Sequence, residues 1–294
     1  MLKGTICPSI TPMTKDGAID YGAWGDHLDR LIDAGIHGIL IFGSIGEFYS
    51  IPAEEKKTAI AWASDHVAGR TALLVGTGGN DVHEVIDLTN FAHDKGATAA
   101  VIVSPFYFGP SPDLAIEYFT KVAGSTESPI ILYNFPDRTG SDLNAGIVEK
   151  LAKANPNIIG VKDTIDSIAH NRTLIHAVGD KLSIFSGFDE YYVSNRIAGG
   201  AGIISGLTNI VPETFVAMHE AYESGDYAGA LAFASRISGF MRLYAVGDNF
   251  IHTIKTAVRL RTGSDMFTGT REPYLSLTGE EADRLRHLID EVTA

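Results

Sequence analysis

The apolar run NIIGVK ends in a lysine, Lys162, and the run PIILY ends in a tyrosine, Tyr133, 29 positions earlier. A lysine carried to the end of a buried strand is set apart from water, and full desolvation lowers its pKa by about 3 to 5 units. A drop of about 3 units costs about 4 kcal/mol at ~1.36 per unit. The product is a free amine, which attacks carbonyl carbon and forms a Schiff base. That chemistry needs a proton shuttle to expel water and to serve the group being made or broken, and a positioned tyrosine can act as one. Side chains alternate along a strand, so an inward Lys162 sends Asp163 outward and returns Thr164 to the lysine's own face. Gly160 leaves room on that face two residues earlier.

The stretch FGSIGEF (42–48) supplies a third piece. Two glycines bracket Ser44 and Ile45 in a strand-to-helix turn. Exposed backbone N–H groups in such a turn can hold a carboxylate. Glu47 is expected near the start of the next helix, where a negative charge suits the dipole.

These side chains need a scaffold that brings strand ends together. Eight short apolar runs recur along the chain, at 4–10, 37–43, 71–78, 97–105, 129–134, 157–163, 182–187 and 201–206. Continuous apolar character, rather than alternation, suits strands buried on both faces. Between them lie amphipathic stretches such as YGAWGDHLDRLIDAG and DVHEVIDLTNFAHDKG, each closing on a glycine that stops a helix. Eight β–α units predict an α/β chain folded as a closed (β/α)8 TIM barrel. A doubly wound open sheet is the alternative, but no GxGxxG follows the first strand. After about residue 224 only helices are expected, the last opening with Thr278 and Glu281 as a capping box. The expected division is a catalytic barrel over 1–223 and a helical appendix over 224–294.

In such a barrel the chemistry sits where the strands end. The polar residues there are Thr11, Ser44 with Glu47, Thr77, Tyr107, Tyr133, Lys162 with Thr164, Asp189 with Glu190, and Ser205. Neighbouring parallel strands lie roughly 4.8 Å apart, so Tyr133 can reach a carbonyl carbon attached to Lys162 one unit away.

Bulk properties remove several other functions. A net charge of −13 argues against nucleic acid or an anionic membrane, since both need clustered Lys and Arg. The single cysteine, Cys7, excludes an internal disulfide and a thiolate metal site. The first residues are too polar for a signal peptide, and no apolar run approaches the ~18 residues of a membrane span. The expected setting is cytoplasmic.

In order and spacing, GSIGE, YNFPDRTG and GVKDT resemble the N-acetylneuraminate lyase and dihydrodipicolinate synthase superfamily of class I pyruvate aldolases, and the likeness runs from about residue 3 to about residue 290. The resemblance implies Lys162 as the Schiff-base lysine for pyruvate and Tyr133 as the acid/base. It implies Ser44 as proton relay, with the amides of Ser44 and Ile45 on the pyruvate carboxylate. Tyr107 would reach into a neighbouring subunit's site, in tight dimers within a homotetramer. Gly187 and Ile204 would line the pocket. No metal or organic cofactor is implied.

The same resemblance leaves the second substrate divided. Synthases carry a second relaying threonine where this chain has Ile45, which cannot pass a proton. Arg138 resembles the arginine with which synthases hold the aldehyde's carboxylate. Asp189 and Glu190 match the residues that bind polyol hydroxyls in the lyase branch, Ser205 stands where another such contact would come, and Thr164 occupies a substrate-contacting position. The expected function is therefore reversible cleavage of a 2-keto-3-deoxy sugar acid to pyruvate and an aldehyde. The alternatives are a 4-hydroxy-tetrahydrodipicolinate synthase acting on aspartate semialdehyde, a dehydratase or hydratase-aldolase of the superfamily, and a binding protein that kept only the pocket.

Overall fold

Apolar on both sides, the eight runs have no polar face to show to water, and each supplies one strand of a parallel sheet. The computed structural model describes residues 1–272 and 276–293. Strands β1 (Gly4–Pro8), β2 (Gly38–Ile41), β3 (Ala72–Gly76), β4 (Ala99–Val103), β5 (Ile130–Asn134), β6 (Ile158–Asp163), β7 (Ser183–Ser186) and β8 (Gly202–Ile204) each lie inside one predicted run. They form a closed barrel in sequence order, every neighbouring pair parallel.

The barrel closes where β1 meets β8 through the pair Gly4 and Gly202. Gly202 has φ 133°, and a Cβ there would stand 2.0 Å from the Gly4 carbonyl oxygen, so closure requires a glycine.

Helices α1 (Tyr21–Asp33), α2 (Ala53–Val67), α3 (Val82–Asp94), α4 (Pro112–Ala123), the single turn α5 (Pro136–Thr139), α6 (Ala145–Ala154), α7 (Ile168–Val178) and α8 (Tyr192–Ile197) occupy the connections. After β8 come α9 (Pro212–Glu223), α10 (Tyr227–Phe240), α11 (Phe250–Thr262) and α12 (Gly279–Thr293). The expected stops after α1 and α3 are Gly35 (φ 81°) and Gly96 (φ 87°), both left-handed. The expected capping box opens α12: the Thr278 N–H donates to Glu281 at 2.8 Å, and the Glu281 N–H returns to Thr278 Oγ1 at 3.3 Å. No helix among the described residues is long and apolar enough to cross a membrane.

Ile6, Leu40, Leu74, Val101, Ile131, Phe185 and Ile204 fill the barrel interior together with Tyr133. Outside it, one apolar cluster runs from barrel residues Ile203, Leu207 and Phe215 to Ile237, Phe240, Ile254 and Leu285 of the last helices. Glu223 ends α9 and Ser224 begins the turn to α10, and this cluster continues across that point. The C-terminal helices are thereby pinned against the barrel, where they can wall a site.

Strands β5 and β6 shift register between Ile130 and Ile131, because Ile159 is an extra residue with no partner across the pair. Beyond that bulge Tyr133 stands opposite Lys162, and Asn134 opposite Asp163.

Candidate active site

The register of β5 and β6 puts Tyr133 and Lys162 side by side at the barrel mouth, both pointing inward. The Lys162 Nζ lies 4.0 Å from the centre of the Tyr133 ring. Each residue is only 5% exposed. Lys162 belongs to no ion pair among the described residues. Its neighbour Asp163 points outward as expected, held by Asn134 Nδ2 at 3.1 Å, Asn171 Nδ2 at 3.1 Å and His170 Nδ1 at 3.1 Å. The Tyr133 hydroxyl is 3.2 Å from Ser44 Oγ. An amine, a phenol and an alcohol therefore meet within one poorly hydrated volume, as Schiff-base chemistry requires.

Ser44 is presented by a strained turn. Phe42 (φ 55°) and Glu47 (φ 58°) are both left-handed without being glycine, each at about 1 to 2 kcal/mol. Neither the Ser44 nor the Ile45 N–H has a hydrogen-bond partner among the described residues, so both remain available to a carboxylate. The Ile45 side chain packs with Ile10 and Leu207 in the cluster that reaches the C-terminal helices. An alkyl group there passes no proton.

Glu47 stands at the start of the next helical turn, as N-cap of the 3-10 turn Phe48–Ser50 that precedes α2, but its side chain makes no capping bond there. It is buried, 1% exposed, and paired with Lys255 of α11, which is 0% exposed. Lys255 also donates to the Gly269 carbonyl at 3.0 Å, and Glu47 accepts from the Arg271 N–H at 3.4 Å. Burial pulls the Lys255 amine below its ordinary value, against the opposing pull of Glu47. A carboxylate with a buried cation 208 residues away serves as an anchor for the turn rather than as a dipole partner.

Thr164 and Gly187 close in beside the lysine. The Thr164 hydroxyl is buried and lacks a partner among the described residues. A Cβ on Gly187 would stand 2.0 Å from that hydroxyl oxygen, so glycine leaves the threonine its space. Ile204 lies in the interior cluster with Tyr133.

Above this floor opens a cavity of about 450 Å³. Ser44 lies on its wall, with the aromatic residues Phe48, Phe106, Phe135 and Phe250 and the polar residues Arg138, Asp248 and Asn249. Ser44 also borders a narrow pocket of about 10 Å³ that reaches Tyr133. Arg138, on α5, thus faces the cavity. Asp248 and Asn249, at the entry to α11, come from a segment that sequence reasoning did not single out.

Other predicted residues stand apart from the cavity. Asp189 is buried, and its two oxygens accept from the Leu207 N–H and the Tyr244 hydroxyl, each at 2.8 Å. Burial raises its carboxyl above the ordinary range. Ser205 is buried at the end of β8. Glu190 is exposed, with Ser238 Oγ of α10 at 3.5 Å. Tyr107 is 86% exposed and left-handed at φ 82°.

Residues 1–292 match the dihydrodipicolinate synthetase family. YagE of Escherichia coli strain K12, named provisionally as a 2-dehydro-3-deoxy-D-gluconate aldolase, is 36% identical, over 99% of this chain and 97% of that protein. The crystal structure of YagE in complex with pyruvate has a TM-score of 0.97 at 35% identity, covering 100% of this chain and 99% of that one. YjhH of the same strain, named provisionally as a 2-dehydro-3-deoxy-D-pentonate aldolase, is 32% identical over 97% of this chain and 96% of its own. The 4-hydroxy-tetrahydrodipicolinate synthase of Methanoculleus marisnigri is 36% identical over 98% of this chain and 99% of its own. Since the family match takes in the barrel, the strand ends that carry Lys162 and Tyr133, and the helices behind them alike, this chain belongs to the dihydrodipicolinate synthetase family.

Proposed function

We propose that this protein is a class I aldolase that cleaves a 2-keto-3-deoxy sugar acid reversibly to pyruvate and an aldehyde. The observation that carries the reading is the unpaired, buried Lys162 amine 4.0 Å from the Tyr133 ring, with the Tyr133 hydroxyl on Ser44. The Lys162 amine adds to the C2 carbonyl, and loss of water leaves an iminium. The substrate carboxylate rests on the free Ser44 and Ile45 amides. Tyr133 has given its proton to the departing water, so its oxygen, held by Ser44, accepts the C4 hydroxyl proton. The C3–C4 bond electrons flow into the iminium nitrogen, which releases the aldehyde and leaves the enamine of pyruvate. Protonation at C3 and addition of water free pyruvate and restore the amine.

On this reading Thr164 and Gly187 flank the imine, and Ile204 closes its floor. Asp189 stands behind the cavity and orders the turn after β8 through Leu207 and Tyr244. The aldehyde portion extends into the cavity toward Arg138, Asp248 and Asn249. YagE and YjhH, with their provisional aldolase names, support the sugar-acid branch. Tyr107, exposed on its strained loop, completes a neighbouring copy's site in a homotetramer built as a dimer of dimers. The enzyme works in the cytoplasm without a metal or organic cofactor, in a barrel of residues 1–223 backed by the helices of 224–294.

A second reading has one observation in its favour. Arg138 on the cavity wall suits the carboxylate of aspartate semialdehyde, the substrate of a synthase. Pyruvate release from a panel of 2-keto-3-deoxy acids, run beside condensation of pyruvate with aspartate semialdehyde, separates the two. Release from the panel with no condensation is the expected result. Condensation alone overturns the aldolase assignment.

A further inference from the structure

Directly behind the reactive pair, on the outer face of the barrel, stands a second and wholly polar arrangement that the reaction does not use. Alternation along β5 and β6 places Asn134 behind Tyr133 and Asp163 behind Lys162. Asn134 Nδ2 donates to Asp163 at 3.1 Å and to Asp142 at 3.0 Å, and its oxygen accepts from the Leu143 N–H at 2.9 Å. His170, on α7, stands between the two acids: Nδ1 is 3.1 Å from Asp163, and Nε2 is 3.3 Å from Asp142. Asn171 adds a third bond to Asp163 at 3.1 Å and is itself held by Asn195 at 2.9 Å. Asn195 then reaches the Ile184 carbonyl of β7 and the Gly202 N–H of β8. The chain of contacts ties the outer faces of four consecutive strands together.

Two features argue that geometry, rather than stability alone, is what this network provides. Apolar side chains would fill the same space without the desolvation that a buried carboxylate requires; the Asp163 side chain is 0% exposed. Moreover, the ladder between β5 and β6 is broken by the bulge at Ile159, three residues before Lys162. The four pairs from Ile131–Gly160 to Asn134–Asp163, which include the reactive pair, are thereby cut off from the rest of the ladder. The bond between Asn134 and Asp163, together with the Thr164 N–H on the Asn134 carbonyl at 2.8 Å, secures the end of that short stretch. Nδ1 is hydrogen-bonded to Asp163, while Nε2 meets Asp142 at ion-pair distance without hydrogen-bond alignment, so the contact with Asp142 is one of charge and favours the doubly protonated ring.

We propose that His170 is a positioning residue: clamped between Asp163 and Asp142, it fixes the ends of β5 and β6 and with them the approach of Lys162 to Tyr133. The inference rests on the Schiff-base reading of that pair. Reacting groups displaced by ~1 Å through a remote mutation lose about 10²-fold in rate, while groups that never touch the substrate leave its binding nearly unchanged.

The test compares wild type, His170→Gln and Asp142→Asn. Asp142 is 43% exposed in its side chain, so its change spares the fold if the histidine change does not. Each is incubated with pyruvate and borohydride, the adduct on Lys162 is timed by intact mass, and kcat and KM are measured for the keto acid it cleaves. The expected result is a fall in trapping rate and kcat by about 10- to 100-fold with KM within about 3-fold. A purely structural role would lower the melting temperature and leave kcat of the folded fraction intact. Folded variants that trap and turn over within about 2-fold of wild type would overturn the inference alone. A wild type that traps nothing removes the Schiff-base reading and the inference with it.

Discussion

Replacing Lys255 by Met tests the buried pair beneath the Ser44 turn. In the native protein the amine is fully enclosed and contacts Glu47 and the Gly269 carbonyl. Methionine fills similar volume but leaves the Glu47 carboxylate buried with, among the described residues, only the Arg271 N–H at 3.4 Å. Breaking a buried pair from one side costs about 3 to 5 kcal/mol. Unfolding entropy of about 2.1 cal/mol/K per residue gives roughly 0.6 kcal/mol/K for a chain of this length, so the melting temperature should fall by about 5 to 8 °C. Adding Glu47→Gln removes the orphaned charge and should recover about half of that loss or more, because the penalty belongs to the isolated carboxylate. Glu47 adjoins the amides that hold the substrate carboxylate, so the single variant should also show a raised KM for the keto acid. Calorimetry of the two single variants and the double variant gives the coupling directly. Equal melting temperatures for Lys255→Met and wild type, or additive effects in the cycle, would refute the claim that this pair anchors the turn.

Three further outcomes follow from the same geometry. Tyr133→Phe keeps the ring beside Lys162 but removes the hydroxyl on Ser44, and should lower kcat by about 10² to 10⁴ while pyruvate trapping persists; undiminished turnover would exclude Tyr133 as the proton carrier. Gly187→Ala drives a methyl into the Thr164 hydroxyl, and should cost about 1 to 3 kcal/mol in a melt together with most of the activity; an active variant of native stability would show that Thr164 has other room. Asp142 and Asp163 push the His170 imidazole from 6.5 up to about 10. A raised folded value means that this contribution is whole below about 6.5 and is lost as the pH climbs through about 10. Denaturant unfolding of wild type and His170→Gln across that window should show a steeper decline for wild type, and parallel curves would count against a charged His170.

The strands were readable because nothing in their composition competes: runs of β-branched and aliphatic residues, bounded by polar turns, suit only a strand covered on both faces. Lys162 and Tyr133 were readable as a pair because one βα unit separates them, and the barrel places such ends side by side. The register that makes them face each other was not readable, since the extra residue at Ile159 leaves no mark in a run of apolar residues. Glu47 was readable in place but not in role, because its partner lies 208 residues away in α11, and short-range spacing offered only the helix dipole. Asp189 looks the same in sequence whether it faces a cavity or accepts the Leu207 N–H. Asp248 and Asn249 reach the cavity because the C-terminal helices fold back along the shared apolar cluster, which local pattern cannot place. His170 was hidden in an ordinary amphipathic helix, and its role depends on where Asp142 and Asp163 converge.

The central claim is that the Lys162 amine is the nucleophile. Pyruvate with borohydride, followed by intact mass and peptide mapping, reads it most directly. Wild type should gain the mass of one reduced pyruvate imine on the peptide that carries Lys162, and Lys162→Ala should gain none and turn over nothing. An adduct on another lysine, or catalysis surviving in Lys162→Ala, would contradict the account.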